Sequence, residues 1–228
     1  MKYRVLPIIT LITIGFVSIT PSAFAQDSTP KILAMGDSLL AWHKLTGRSI
    51  TQVAGKELDI SITDRSLSGA RMIYKLPITG TVGFSIPRQY TSGEWDWVIL
   101  TGGGNDLWLG CGCTRCNRKL NKLISEDTQT GAIPKLVSKL RKKDTKVIYV
   151  GYLRTPGQGS PIDHCRDEGD ILESRISALA KHDDGVHFLS LKKLVPNGDL
   201  SYHAADRIHP SVKASKEIGK LVADIIAD

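Results

Sequence analysis

Apolar residues along this chain fall into five short Val/Ile/Leu-rich runs that alternate with longer stretches of helical periodicity. Lys31–Met35, Asp59–Thr63, Trp97–Thr101, Lys146–Gly151 and Val186–Ser190 have the length and composition of strands buried on both faces. Between and after them, the recurrence of apolar positions predicts helices from Ser38 to about Leu58, over Leu120–Ser125, from Ile133 to Lys143, over Glu168–His182 and over Ser211–Ala227. Pro210 is read as the residue that starts the last helix, where its missing N–H costs nothing. The stretch from Ala70 to Glu94, with Pro77, Gly80, Gly83 and Pro87, reads as loop with one short helix. Strand and helix in alternation predict an α/β protein: a three-layer α/β/α sandwich with a mostly parallel sheet of about five strands.

One apolar run lies outside this alternation. Lys2 and Arg4 precede an apolar stretch from about Leu6 to Thr20, and Ala23-Phe24-Ala25 has the small-x-small form of a signal peptidase site. Residues 1–25 are therefore read as a signal peptide, and residues 26–228 as a single domain of 228 − 25 = 203 residues, exported to the periplasm or secreted. The alternative is an uncleaved membrane anchor, disfavoured by the short apolar core and by Pro7 and Pro21. No cysteine precedes Cys111, so there is no site for an N-terminal lipid-bearing cysteine, and no second apolar run suggests a membrane span after cleavage.

Charge narrows the partners. The chain carries +7, and losing Lys2 and Arg4 leaves 7 − 2 = +5. Much of it lies at Arg115 to Lys122 and Lys135 to Lys146, which read as solvated helix faces. Few aromatics interleave with these basic residues, so nucleic acid is not expected as a partner, whereas attraction to anionic envelope glycans or lipids stays open. The pattern does not specify an oligomeric state.

Candidate chemistry gathers at the carboxyl ends of the predicted strands, where open α/β sheets place their ligands. The first stretch is Gly36-Asp37-Ser38-Leu39, a tight turn from strand into helix, with Ser38 beside the free N–H groups of a first helical turn. The second, Ser66-Leu67-Ser68-Gly69, offers a glycine N–H that can approach a ligand closely. In the third, Thr101-Gly102-Gly103-Gly104-Asn105-Asp106, glycines clear a strand end so that the Asn105 amide enters the crevice as a neutral donor. With no Lys-Ser/Thr following, and no helix expected to start at once, a P-loop is disfavoured. The fourth, Asp206-Arg207-Ile208-His209, places a carboxylate three residues before a histidine, close enough to accept from Nδ1 and leave Nε2 as a base. His203 is the main competitor for that role and lacks an acid at the matching spacing.

Together these blocks resemble the SGNH (GDSL-type) serine hydrolases, in order and spacing, from Lys31 to the C-terminus. The resemblance implies the flavodoxin-like SGNH fold, Ser38 as nucleophile, His209 as base and then acid, and Asp206 as the group that orients it. It also implies an oxyanion hole from the Ser38 and Gly69 N–H groups and the Asn105 side chain, with no cofactor or metal. The Gly-x-Ser-x-Gly elbow of the α/β-hydrolases is absent, since two leucines follow Ser38. The function expected is an exported serine esterase acting on a small acyl or O-acetyl ester of a glycan or lipid. An acyltransferase with the same site and a non-catalytic glycan-binding domain are the alternatives. Trp42, Leu107 and Trp108 are expected to form pocket walls that bind substrate.

No block of the family explains Cys111, Cys113 and Cys116 after the asparagine, or Cys165 in the loop after the fourth strand. Two disulfides fit an exported chain, against a zinc site with His164 or redox work by Cys113 and Cys116. A Cys111–Cys113 bond would close a strained ring. Of the two remaining pairings, Cys113–Cys116 with Cys111–Cys165 is slightly favoured over Cys111–Cys116 with Cys113–Cys165.

Overall fold

The computed structural model describes Met1 and residues 29–157 and 159–228, so the predicted signal peptide lies outside the described residues apart from its first methionine. Five strands, β1 (Ile32–Met35), β2 (Ile62–Asp64), β3 (Trp97–Leu100), β4 (Lys146–Val150) and β5 (Val186–Leu189), form one sheet in the order β2-β1-β3-β4-β5. Every pairing is parallel, with Ile32 opposite both Ile62 and Trp97. The sheet turns back on itself at β1, whose neighbours are β2 on one side and β3 on the other. The crevice between β1 and β3 is the topological switch point at which such sheets bind ligands.

Alternation along the strands separates two cores. Ile32, Ala34, Ile99, Ile148 and Val150 face α1 (Ser38–Ala41), α2 (Ile50–Glu57) and α8 (Val212–Ala227), through Leu40, Ile50, Ile218 and Val222. Leu33, Met35, Val98, Leu100, Val147 and Tyr149 face the other way, against α4 (Gly104–Cys111), α5 (Asn117–Leu123), α6 (Ala132–Arg141) and α7 (Arg166–Ala180). A single turn, α3 (Pro77–Thr79), lies in the long β2–β3 connection. Continuous apolar strands with a helix layer on each face are what the sequence predicts, and all five expected strands are present.

Four expectations are corrected. The long helix from Ser38 is broken: α1 ends at Ala41, a 3₁₀ turn covers Lys44–Thr46, and α2 starts only at Ile50. Left-handed residues at His43 (φ 65°) and Gly47 (φ 70°) make the break, and Ser49 caps α2 through a capping box with Gln52. A helix does start at once after the glycine loop, since α4 begins at Gly104. Pro210 does not begin the last helix, because Ser211 is its N-cap and Pro210 pairs with His203 in an isolated bridge. The Ala70–Glu94 stretch holds three short helical turns where one was expected.

Candidate active site

The nucleophile turn is held from both sides. Asp37 is the N-cap of α1, and its carboxylate accepts from the Leu39 N–H at 3.1 Å. Ser38 is therefore free of the capping task and half-buried at the helix start. The buried Gln89 accepts from the Gly36 N–H (2.6 Å) and donates back to the Gly36 carbonyl (2.8 Å), which fixes the turn. A Cβ at Gly36 would overlap the Thr101 side chain, so only glycine lets β1 and β3 end this close together.

Tyr152, just beyond β4, ties this turn to the neighbouring strand end. Its hydroxyl donates to Asp37 Oδ2 at 2.5 Å and accepts from the Gly104 N–H at 3.0 Å. Burial pushes the Asp37 carboxyl up, only partly offset by the hydrogen bonds from Tyr152 and Leu39. Neither Tyr152 nor Gln89 belongs to a recognisable sequence block. A tyrosine just past a buried strand was the one available hint of the first, and there was none for the second.

The histidine comes from the loop before α8. His209 Nδ1 lies 2.5 Å from Asp206 Oδ2, while Asp206 Oδ1 accepts from the Ile208 and His209 N–H groups at 3.0 Å each. Burial alone would raise the Asp206 carboxyl, but these three hydrogen bonds outweigh it and hold it below the usual carboxylate range. With Nδ1 committed to the carboxylate, Nε2 is the free nitrogen.

Trp42 is not a pocket wall. It follows the last residue of α1 in an extended conformation, and its ring stacks on His209 at 3.8 Å between centroids and 5° between planes. Beside it, His43 Nε2 lies 3.0 Å from the Pro210 carbonyl oxygen. The helix that opens with Ser38 thus closes on the loop that carries His209. His203, the competitor, is buried with Nδ1 unpartnered and does not line the cleft.

The third wall carries the neutral donors. Gly103 (φ 102°) caps α4 in the left-handed region, so Asn105 falls in the first turn of that helix. Asn105 Nδ2 donates to the Ala70 carbonyl at 3.0 Å, which orients the amide and leaves its second hydrogen for the cleft. The Ser38 and Gly69 N–H groups have no hydrogen-bond partner among the described residues. Gly69 (φ 81°) sits in the loop just before Ala70, although it does not itself line the cleft.

Asp106 secures that loop. Its two carboxylate oxygens accept from the Met72 and Ile73 N–H groups at 2.8 and 2.9 Å. Burial pushes its carboxyl up to about 6, against the pull of those N–H groups. The folded chain thus holds this proton more tightly than an unfolded one. The resulting destabilisation is absent below about 4, grows as pH rises, and is complete above about 6. Asp106→Asn is expected to abolish that slope in urea unfolding followed from pH 4 to pH 7. It should also slow turnover at neutral pH, because an amide NH2 then faces a backbone N–H.

Ser38, Asn105 and His209 open into one cleft of about 130 Å³, whose apolar lining includes Leu107, Trp108, Ile162 and Leu172. Leu107 and Trp108 thus both line the cleft. The disulfides are Cys111–Cys116 and Cys113–Cys165, so the favoured pairing is wrong and the other one is correct. The reason is the turn after α4: Gly112 (φ 63°) and Cys113 (φ 50°) reverse the chain and send Cys113 inward to the start of α7. Cys111, in the last turn of α4, meets Cys116 at the N-cap of α5. Cys113, His164 and Cys165 cluster as metal ligands would, but with both sulfurs oxidised no thiolate is left to bind.

Cys165 lines the cleft, and its bond to Cys113 spans 52 residues. In the chain-entropy account a closure of that size stabilises by about 4 kcal/mol. Selective reduction should lower ester turnover at temperatures where the fold, followed by far-UV circular dichroism, is still intact.

A parallel 2-1-3-4-5 sheet with these four blocks along its carboxyl edge defines a hydrolase of the SGNH type. The profile of the GDSL-like lipase/acylhydrolase family matches residues 34–216, and the chain belongs to that family. Among solved structures it is similar to Est24, a carbohydrate acetylesterase from Sinorhizobium meliloti (19% identity, 87% of this chain and 98% of that one, TM-score 0.60). It is also similar to an inhibitor-bound aryl esterase from M. smegmatis (18% identity, 87% and 98%, TM-score 0.60). A third is a G-D-S-L family protein from Desulfitobacterium hafniense (15% identity, 86% and 99%, TM-score 0.60). At these identities the likeness is one of fold. No curated protein matches the sequence.

Proposed function

We infer that the protein is an exported serine esterase that hydrolyses a small acyl ester, such as the O-acetyl ester of a glycan or lipid. The observation that carries this reading is the convergence on one cleft of Ser38, a histidine held by Asp206, and the Asn105 amide. Ser38 Oγ attacks the ester carbonyl while its proton passes to His209 Nε2. The tetrahedral oxyanion is met by the Ser38 and Gly69 N–H groups and the free Asn105 hydrogen. The bond to the alcohol then breaks, and His209 hands its proton to the departing oxygen. Water attacks the acyl-enzyme, its proton goes to His209, and Ser38 leaves with that proton restored. Asp206, ionised across the range in which histidines titrate, keeps the ring in the one useful tautomer.

A cavity of about 130 Å³ is smaller than those that enclose drug-sized ligands, which favours a short acyl group. The carbohydrate acetylesterase name of one structural neighbour points the same way. Two intact disulfides, and no helix among the described residues long and apolar enough to cross a membrane, accord with export after removal of residues 1–25. Acyl transfer remains the second reading, supported by the likeness to the salicylyl-acyltransferase SsfX3 (16% identity, TM-score 0.56), of whose length this chain covers 55%.

A panel of aryl esters of rising acyl length, with acetylated glycans beside it, tests the substrate class. Acetyl and propionyl esters should turn over faster than octanoyl ones, with free acid as product. A preference for octanoyl would overturn the short-acyl reading. Ester formed with an added sugar in place of free acid would establish transfer.

A further inference from the structure

Three of the large apolar side chains that the fold leaves in solvent lie close together in the β2–β3 connection: Leu76 (62% exposed), Ile78 (79%) and Val82 (72%). They project from α3 and the turn that follows it, and that turn is well anchored. Arg88 Nη1 donates to the Pro77 carbonyl at 2.8 Å, and Tyr74 Oη lies 2.9 Å from Thr79 Oγ1. Gln89 donates to the Gly83 carbonyl at 2.8 Å, and the Tyr74 and Phe84 rings stack at 6.0 Å. The apolar groups are thus presented outward by a fixed scaffold.

Their electrostatic setting is one-sided. From Arg65 to Gly93 the chain contains Arg65, Arg71, Lys75 and Arg88 and no Asp or Glu. None of the four forms an ion pair among the described residues, and Arg65, Lys75 and Arg88 are exposed. Arg65, Val82 and Arg88 share one shallow depression with Asp64, whose carboxylate is already taken by Lys44, Thr51 and Ser66. The connection leaves the carboxyl end of β2, and Gln89 donates to both the Gly83 and the Gly36 carbonyls, so the patch lies beside the catalytic edge of the sheet.

We propose that the Leu76–Val82 turn docks the protein on an anionic lipid surface, its aliphatic side chains entering the headgroup boundary while Arg65, Lys75 and Arg88 meet lipid phosphates. Exposed aliphatic side chains flanked by cations that form no ion pair among the described residues suit such an interface. Four cations and no acidic residue between Arg65 and Gly93 favour an anionic surface over an uncharged apolar partner. Docking there brings the cleft to esters displayed at a membrane. Vesicle binding is read without turnover, so this proposal and the esterase reading fail separately.

Because all four native cysteines are in disulfides, V82C supplies a single thiol for an environment-sensitive fluorophore. The labelled protein should brighten and shift to the blue with phosphatidylglycerol-containing vesicles and stay unchanged with pure phosphatidylcholine. The same label at L221C, on α8, should not respond to either. Adding Lys75→Glu and Arg65→Glu should raise the lipid needed for half-maximal signal by at least about tenfold at low salt. Turnover of a soluble ester by V82C confirms that the variant folds. No response at position 82, an equal response at 221, or a signal that follows protein concentration without lipid would overturn the proposal; the last would indicate self-association.

Discussion

Ser38→Ala is expected to lower ester turnover by a factor on the order of 10⁶ while leaving the fold intact. The size of the loss follows from the chemistry. Without Oγ there is no covalent intermediate, and the remaining rate is that of water attacking an ester held against the oxyanion donors. The intact fold follows from the structure. Asp37 caps α1, so Ser38 has no capping role, and alanine is at least as good a helix residue in its place. Its side chain is half-buried and makes no hydrogen bond among the described residues, so unfolding free energy should move by no more than about 0.5 kcal/mol. A pure, folded Ser38→Ala protein that keeps its turnover would remove Ser38 from the mechanism.

Asn105→Ala has the second largest expected effect, a loss of roughly 10²–10³ in kcat with KM nearly unchanged. The reasoning rests on where the amide points. One hydrogen is bound by the Ala70 carbonyl and the other faces the cleft, so the donor is aimed before substrate arrives and needs no reorganisation during reaction. Asn105→Asp should be at least as damaging, since a carboxylate would oppose both the Ala70 carbonyl and the developing oxyanion. If Asn105→Ala raised KM and left kcat alone, the side chain would be a substrate contact and the oxyanion would have to be stabilised by the backbone donors.

Ser38, Asn105, Asp206 and His209 were legible because each sits in a short local block whose geometry the backbone dictates. Asp206 reaches His209 within one turn of loop, and Ser38 and Asn105 follow directly from buried strands. Features set by tertiary contact were not legible. The α4 sequence Gly-Asn-Asp-Leu-Trp-Leu-Gly-Cys is poor in helix formers, and its start is fixed by the left-handed Gly103 and by Tyr152 meeting the Gly104 N–H. Trp42 lies one helical turn past Ser38, which suggests a pocket wall. The helix stops at Ala41, and the extended Trp42 turns its ring onto His209 instead. The disulfide pairing depended on the reversal at Gly112, which spacing alone does not encode. Asp106 looked like part of the asparagine block, but its partners Met72 and Ile73 are more than thirty residues away.

Covalent labelling tests the central claim most directly. A fluorophosphonate mimics the tetrahedral intermediate and leaves a stable phosphonyl group on a serine activated by a neighbouring base. Intact mass should show a single adduct, and peptide mapping should place it on Ser38. His209→Ala should label far more slowly and Ser38→Ala not at all. An ester-cleaving wild-type protein that takes up no phosphonate, or takes it up on a serine other than Ser38, would contradict the account.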